Sequence, residues 1–469
     1  MYQVGSCNPL TKILDEINRD LPPEEKNAMR DRIVDGIYDS AEKIAGKVVS
    51  RENRKQINWD QKIDDIITSR LLGFPLMLIL LGVVLWLTVT GANYPSQVLA
   101  AALFRLQDLL SGLFIQAGAP AWLHGLLVEG AYMSLAWVVS VMLPPMAIFF
   151  PLFTLLEDLG YLPRVAFNLD NFFRRAGAHG KQSLTMSMGF GCNAAGVISC
   201  RIIESPRERL IAILTNNFIP CNGRFPILIT LSTVFMGGAV AASCRSAAAT
   251  AVVVGLVLTG VIITLLVSKL LSKTLLRGAP SFFILELPPY RRPQAGRIII
   301  RSVLDRTLFV LGRAVVVAVP AGVATWLLAN TFIDSSSLLC YAAGSLDAFA
   351  RHLGMDGFIL IAFILGLPAN EIVLPILLMG YISSGTMVEP DSLAALHNIL
   401  VGQHGWTWFT ALSVMLFSLL HYPCGTTLLT IFKETRSLKW TLIALLMPLS
   451  VALLVTFALT RAVRLLGLV

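Results

Sequence analysis

Residues 169–193 of this chain read LDNFFRRAGAHGKQSLTMSMGFGCN, and residues 346–370 read LDAFARHLGMDGFILIAFILGLPAN. The two stretches align without a gap, and eight of the 25 positions are identical. The identities include an aspartate, an arginine, three glycines and an asparagine, so they do not reflect a shared apolar composition. We interpret the two stretches as copies of one structural unit.

The composition is that of a membrane protein. Apolar residues make up 55% of the chain and charged residues 14%, whereas soluble domains carry about 25% charged residues. The net charge is +8, but the basic residues cluster at the ends of apolar runs, as they do in membrane proteins. The fold class is therefore an all-α polytopic membrane protein, surrounded by lipid, and no nucleic-acid partner is indicated.

Several apolar runs approach or exceed the roughly 20 residues that a crossing helix needs. They occur at 72–92, 131–155, 209–235, 247–271, 308–330, 408–432 and 440–460. Two more, 183–200 and 357–382, are interrupted by glycine, asparagine and, in the second, proline. The stretch 97–118 contains charged residues, so we expect it to lie at the membrane interface.

The basic loops indicate the topology. Loops 156–182 and 272–307 are rich in arginine and belong on the cytoplasmic side, as does the N-terminus, whereas loop 383–407 carries acidic residues and no Lys or Arg. The charges of these loops fit a single topology only if 183–200 and 357–382 are both re-entrant. In that topology residues 461–464, which contain two arginines, end outside. The two copies would therefore have inverted topology, an arrangement that transporters use to place a site near the membrane midplane.

The predicted organisation has five parts. They are a cytoplasmic helical segment (1–65), a first span with an interfacial region (66–130), a first repeat with its following span (131–271), a basic cytoplasmic loop (272–307) and a second repeat with the C-terminal span (308–469). The alternative for residues 1–65 is a loosely ordered tail.

The interruptions carry the chemistry. Backbone that leaves a helix at membrane depth is tolerated where it is buried in protein or lines a wet cavity. The glycines that permit such backbone are Gly189, Gly191 and Gly366. The polar groups beside them, or in the Pro-Cys pairs that follow each copy, are Cys192, Asn193, Cys221, Asn370, Glu371 and Cys424. Sulfur, amide and carboxylate ligands suit a borderline divalent metal better than Mg²⁺ or Ca²⁺.

Each of these residues also has a purely structural interpretation. Membrane cysteines often pack as small apolar residues, and glycines allow helices to approach closely. The asparagines could cap helices, and Glu157 and Asp158, which follow the span 131–155, could face interfacial water.

The sequence resembles the membrane portion of the FeoB-type ferrous iron transporters. The resemblance rests on residues 156–167, which read LEDLGYLPRVAF, on His179-Gly180-Lys181, on Gly189 to Asn193, and on the two Pro-Cys pairs. It implies an Fe²⁺ path between two gate repeats, lined by Cys192, Cys221 and Cys424. It also implies that Glu157 and Asp158 handle the ion.

One departure from the resembled family is that no GxxxxGK[ST] phosphate loop occurs in this sequence. We therefore expect a separate GTP-binding protein to dock on residues 1–65 and the basic loops, together with small accessory proteins. The resemblance further implies the cytoplasmic (inner) membrane as the location and Fe²⁺ as a transported ion, with no permanently bound cofactor.

Other functions remain as alternatives. The gate repeats also resemble those of nucleoside carriers, so the substrate could be a nucleoside or another divalent metal. A non-transporting scaffold or sensor is the alternative from a different class. An enzyme is not expected, because no nucleophile and base occur with a recognisable spacing. Homo-oligomerisation is left open.

Overall fold

The structure is a computed structural model that describes residues 23–48, 59–69, 71–236, 245–278, 290, 294–333, 336–383, 385–386 and 393–467. The acidic residues Glu389 and Asp391 of loop 383–407 lie outside these ranges. The chain divides into two compact units, Met1–Ile63 and Asp64–Val469. The first unit contains a helix, α1 (Pro23–Val48), within the segment 1–65 that was predicted to be helical.

The described helices, after α1, follow in chain order. They are α2 (Trp59–Ile67), α3 (Gly73–Gln116), α4 (Ala121–Asp158), α5 (Tyr161–Arg175), α6 (Gln182–Gly191), α7 (Asn193–Ser199), α8 (Pro206–Thr215), α9 (Phe225–Met236), α10 (Arg245–Lys273), α11 (Ala295–Arg301), α12 (Leu308–Asn330), α13 (Leu338–Ala350), α14 (Gly357–Leu365), α15 (Val373–Ile382), α16 (Leu393–His397), α17 (Trp408–Leu420), α18 (Gly425–Thr435) and α19 (Leu438–Leu465). The strands β1 (Phe332–Ile333) and β2 (Ser336–Ser337) form a small antiparallel hairpin.

The described residues contain five helical segments that are long and apolar enough to cross a membrane: α3, α4, α10, α17 with α18, and α19. The pair formed by Leu338–Leu353 and α14 is also apolar and long enough when taken together, but it bends by 106°, as in a broken span or a re-entrant loop. The chain is thus an all-α, multi-pass membrane protein, as the composition predicts.

The predicted boundary between a span at 72–92 and an interfacial segment at 97–118 is wrong. Both belong to α3, which runs without a break for 44 residues, about 66 Å, through Pro95. A proline inside a helix removes one hydrogen bond but need not end the helix when packing supports it. Here α3 packs along α4.

The runs predicted to span at 209–235 and 408–432 each contain a helix break, although the second lies within a segment long and apolar enough to cross. The first is broken between α8 and α9, and the second between α17 and α18. Pro220 and Pro423 explain both breaks, because a proline forces the residue before it out of the helical region. Ile219 accordingly has an extended backbone, with φ −89° and ψ 128°.

The two repeat copies fold alike at matched positions. Gly177 and Gly354, which align with each other, both end a helical segment with φ +73°. Cys192 and Ala369, which also align, are extended residues between helical segments, with φ/ψ of −153°/126° and −150°/119°. The interruptions predicted from glycine and asparagine are therefore present in both copies.

The turn of the first copy lies at the C-terminal end of α10. Ser272, in the last turn of α10, donates a hydrogen bond to the Ala176 carbonyl at 3.4 Å, beside Gly177. The start of α8 lies at this end as well. There Arg207 donates to the carbonyl of Leu276, just after α10, at 2.5 Å.

The turn of the second copy lies at the opposite end of α10. The helix before α10, α9, stacks Phe235 on Trp406 with ring centroids 6.1 Å apart. Phe409, three residues after Trp406, packs closely on Gly354. A methyl group at position 354 would overlap the Phe409 ring. Since α10 is 29 residues long, about 43 Å, the two matched turns lie far apart, near opposite ends of this helix.

Candidate functional site: four helix interruptions and their polar groups

The first interruption is built around Cys192, which separates α6 from α7. The Phe149 ring of α4 fills the space that a side chain at the neighbouring position 191 would occupy, so Gly191 fits there without overlap. Asn193 begins α7, and both it and Cys192 are buried. Thus a thiol and an amide lie in protein interior at the point where the backbone leaves the helix.

The second interruption contains Ala369 and Asn370, with Glu371 in the helical turn that follows. Asn370 is buried and Glu371 is partly buried. The Glu371 carboxylate lies directly against Gly223, where a side chain would overlap it. Glu371 therefore faces the break between α8 and α9 of the other repeat.

Each Pro-Cys break is joined to the interruption of its own repeat by the same backbone contact. The N–H of Asn222, two residues after Pro220, donates to the Gly191 carbonyl at 3.3 Å. The N–H of Gly425, two residues after Pro423, donates to the Leu367 carbonyl at 2.7 Å. Each repeat therefore has two interruptions that meet. The carbonyl groups that accept no hydrogen bond within a helix are brought together where they meet.

The three predicted thiols and Glu371 lie near one another. Cys192 is close enough to interact electrostatically with Cys221 and Cys424, and Glu371 with the same two cysteines. The Cys424 thiol also lies 3.3 Å from the hydroxyl of Thr427. Among the described residues, no three His, Cys, Asp or Glu side chains are close enough to hold a metal ion together.

Amide oxygens supply further polar atoms at the same place. The side-chain oxygens of Asn193, Asn216 and Asn370 are buried and have no hydrogen-bond partner in the described structure. Those of Asn193 and Asn216 both lie within 3.4 Å of the position that a side chain at Gly189 would occupy. Unpaired buried oxygens are costly, and such groups favour a bound cation or water.

Arg224 connects the two repeats and was not identified from the sequence. Its guanidinium is fully buried and donates to the carbonyls of Asn217, Leu419, His421 and Tyr422 at 2.6 to 3.0 Å. Arg224 thereby links the break between α8 and α9 to the break between α17 and α18 through hydrogen bonds to carbonyls of both. A single arginine inside an apolar run was the signal that could have found it.

Glu157 and Asp158 are not brought into this site. Both are exposed at the end of α4, eight and nine residues beyond Phe149, which is at least about 12 Å along the helix. Gly366 belongs to the second interruption, where a side chain would overlap Val373.

Two family models match this chain. The Gate family, described as nucleoside recognition, matches residues 139–235 and 311–438, and the family described as ferrous iron transport protein B C terminus matches residues 253–305. Each of the two Gate segments contains one of the two pairs of interruptions.

The relatives are proteins named for Fe²⁺ transport. An Fe(2+) transporter FeoB of Staphylococcus aureus is 28% identical over 461 residues, which are 96% of this chain and 66% of the relative. The corresponding values for FeoB of Methanocaldococcus jannaschii are 26%, 97% and 66%. An Fe(2+) transport protein A/Fe(2+) transporter FeoB fusion protein of Porphyromonas gingivalis is 26% identical, over 89% of this chain and 53% of the relative. The chain thus spans slightly less than two thirds of these relatives, and no solved structure matches it significantly.

Proposed function

We propose that the chain belongs to the FeoB family of membrane proteins and moves Fe²⁺ across the cytoplasmic membrane into the cell. The proposal is supported by the proximity of Cys192, Cys221, Cys424 and Glu371, each of which comes from a different one of the four interruptions and which influence one another electrostatically. These groups come from both repeats, so relative movement of the repeats changes the ligands offered to an ion. That is the physical requirement for gated passage.

The proposed path combines soft and hard ligands. Fe²⁺ accepts sulfur, amide and carboxylate donors and binds more weakly than the later first-row metals up to copper, so it can be released. Since the described carboxylates and thiols do not form a closed three-residue site, amide and backbone oxygens complete the ion's coordination. We assign this role to Asn193 and Asn370, whose side-chain oxygens are buried and unpaired. A transient site of this kind permits conduction, whereas a tight one would trap the ion.

The decisive experiment is Fe²⁺ uptake into proteoliposomes by Cys192→Ser, Cys424→Ser and Glu371→Gln variants. We expect uptake to fall about tenfold or more in each, corresponding to about 1.4 kcal/mol of lost ion stabilisation. Cys200→Ser is the matched control, because the buried Cys200 thiol lies in the same repeat and donates to the Gly196 carbonyl, at 3.3 Å. Uptake unchanged by Cys192→Ser, with the protein correctly inserted, would contradict the thiol path.

A second candidate substrate has one specific observation in its favour, the description of the Gate family as nucleoside recognition. The same proteoliposomes should therefore be tested with Mn²⁺, Zn²⁺ and a nucleoside. We expect metal uptake to exceed nucleoside uptake, because the convergent groups include three thiols. Nucleoside uptake that does not depend on Cys192 would favour the alternative, and absence of all flux would favour a scaffold or sensor.

We further propose regulation by a separate GTP-binding protein that docks on the N-terminal helical segment and the basic loop 272–307. The fusion of a protein A to a FeoB relative also suggests a small accessory protein. A pull-down of this chain in the presence of GTP should recover a nucleotide-binding partner, and deletion of residues 1–48 should abolish its recovery. Repeated recovery of none would contradict this regulation.

A further inference from the structure

A deep apolar groove lies beside the first interruption. Its volume is about 350 Å³, and it is enclosed by α3, α5, α6 and α10 with part of α4. Phe74 and Leu78 of α3 and Val257 and Val261 of α10 form its sides, while Phe190 of α6 forms part of its floor. Phe190 lies two residues before Cys192, so the groove reaches α6, the helix that ends at the first interruption.

The groove offers almost nothing to a polar ligand. Its lining is apolar apart from Ser183, Ser187 and Tyr161. The two serine hydroxyls donate to carbonyls within their own helix region, at 2.8 Å for Ser183 and 2.9 Å for Ser187. An apolar cavity does not hold water stably, but it does accept an apolar guest.

The groove is continuous with the surface that faces lipid. On α3 and α10, residues next to the lining are strongly exposed: Ile79 is 63% and Ile262 is 57% exposed. In a protein that spans a membrane, such apolar exposure is covered by lipid chains. The chains that cover α3 and α10 therefore have direct access to the space between these helices.

One polar atom of the lining has no partner. The Tyr161 hydroxyl is buried and makes no hydrogen bond within the described structure. Tyr161 begins α5, immediately after a helix end, and tyrosines at such positions lie at the level of lipid headgroups and esters. A phospholipid ester carbonyl would accept a hydrogen bond from this hydroxyl while its chain extends over the apolar lining.

From these observations we infer that one acyl chain of a bilayer phospholipid occupies the groove and contacts Phe190, with its ester bound to Tyr161. The bound chain packs against α6 and thereby supports the first interruption from the side opposite the polar site. This lipid site goes beyond ion transport and does not depend on which ion the protein carries.

The test uses a phosphatidylcholine with a diazirine in the middle of one acyl chain, reconstituted with the full protein. After illumination, peptide mass spectrometry should find label on α6, around Met186 and Phe190. Val261→Phe, which fills the groove, should reduce α6 labelling at least fivefold relative to labelling of the outer face of α10. Ile262→Phe, the adjacent lipid-facing residue, is the matched control and should leave the ratio unchanged.

Two results would overturn the inference: α6 without label while α3 and α10 are labelled, or equal loss of α6 label in both phenylalanine variants. Tyr161→Phe provides a second measure with little risk to folding. It should weaken retention of the labelled lipid about fivefold, as expected for one lost hydrogen bond, and unchanged retention would exclude the ester contact. Labelling is measured without Fe²⁺, so failure of the transport proposal would leave these outcomes interpretable.

Discussion

At the scale of single residues, Arg224 shows how a buried charge can be stabilised entirely by uncharged partners. The helix interruptions leave carbonyls without helix donors, and the five N–H groups of an arginine suit several of them at once. Four of these carbonyls accept from Arg224, three of them from the chain before Pro423. The residue therefore fixes the two Pro-Cys breaks relative to each other.

Replacing Arg224 by Met should remove these bonds while keeping most of the side-chain volume. We expect a loss of about 3 kcal/mol or more, because several buried carbonyls become unpaired at once. The measurement is the apparent melting temperature of the purified protein in detergent. Arg201→Met is the control: the Arg201–Glu434 ion pair is bidentate, at 2.6 and 2.8 Å, but Arg201 is 66% exposed, so its loss should cost at most about 1 kcal/mol. Equal losses in both variants would refute the assigned role of Arg224.

Asp64 forms a second, partly buried cluster, which joins loop 156–182 to loop 272–307. It accepts hydrogen bonds from Arg164 at 2.9 Å and from the Tyr290 hydroxyl at 2.7 Å, and the Arg164 guanidinium lies over the Tyr290 ring. Burial and the bond to Asp64 raise the pKa of Tyr290 to about 12, so it remains a donor. Burial alone would raise the pKa of Asp64, but the bonds from Arg164 and Tyr290 outweigh it and hold that pKa below its usual value.

The lowered pKa of Asp64 gives a stability effect with a defined sign. Because the folded-state pKa is the lower one, the carboxylate stabilises the fold at neutral pH, and this contribution is lost as the pH falls below about 4. Asp64→Asn should cost about 2 kcal/mol at pH 7. The difference in apparent melting temperature between wild type and variant should shrink as the pH approaches 3.5. The exposed neighbour Asp65, changed to Asn, should show neither effect, and a gap that widens in acid would contradict the assignment.

At the scale of helices, the sequence was sufficient for some interruptions and insufficient for others. The breaks at Cys192 and Ala369 were predictable because glycine and asparagine stand within short apolar runs and recur at the same offset. The breaks between α8 and α9 and between α17 and α18 were missed, because the apolar runs around them are long enough to mask one proline. The contacts across repeats, such as Glu371 against Gly223, depend on tertiary packing and have no local signal.

Gly191 gives an element-scale prediction. A methyl group at this position would overlap the Phe149 ring, so Gly191→Ala must displace α6 or α4. We expect a destabilisation of about 1–3 kcal/mol, the usual cost of overpacking. Phe149→Leu should recover part of it in the double variant, which a double-mutant cycle of apparent melting temperatures would show. Gly255→Ala in α10, where nothing lies within 4 Å of the added carbon, is the control and should be neutral or slightly stabilising. An additive cycle would mean that Phe149 is not the obstacle.

At the scale of the whole molecule, contacts independent of the repeat alignment agree with an inverted arrangement. Within the second unit, Asp64 contacts Arg164 of loop 156–182 and Tyr290 of loop 272–307, the two loops that the charge pattern places inside. Elsewhere in this unit, Arg464 near the C-terminus donates to the Arg351 carbonyl at 2.8 Å, beside the turn of the second repeat. Arg464, one of the two arginines that violate the positive-inside rule, thus lies beside the turn of the second repeat.

This arrangement predicts which side of the membrane each end faces. In a background whose native cysteines are replaced by alanine or serine, Lys273→Cys at the end of α10 and Gln403→Cys before Trp406 place one exposed thiol at each end. A membrane-impermeant maleimide added to intact spheroplasts should label Gln403→Cys, but should label Lys273→Cys only after permeabilisation. Labelling of both from the same side would remove the inverted topology. Since the thiols and Glu371 would still meet, it would leave the ion path in place but require a different gating movement.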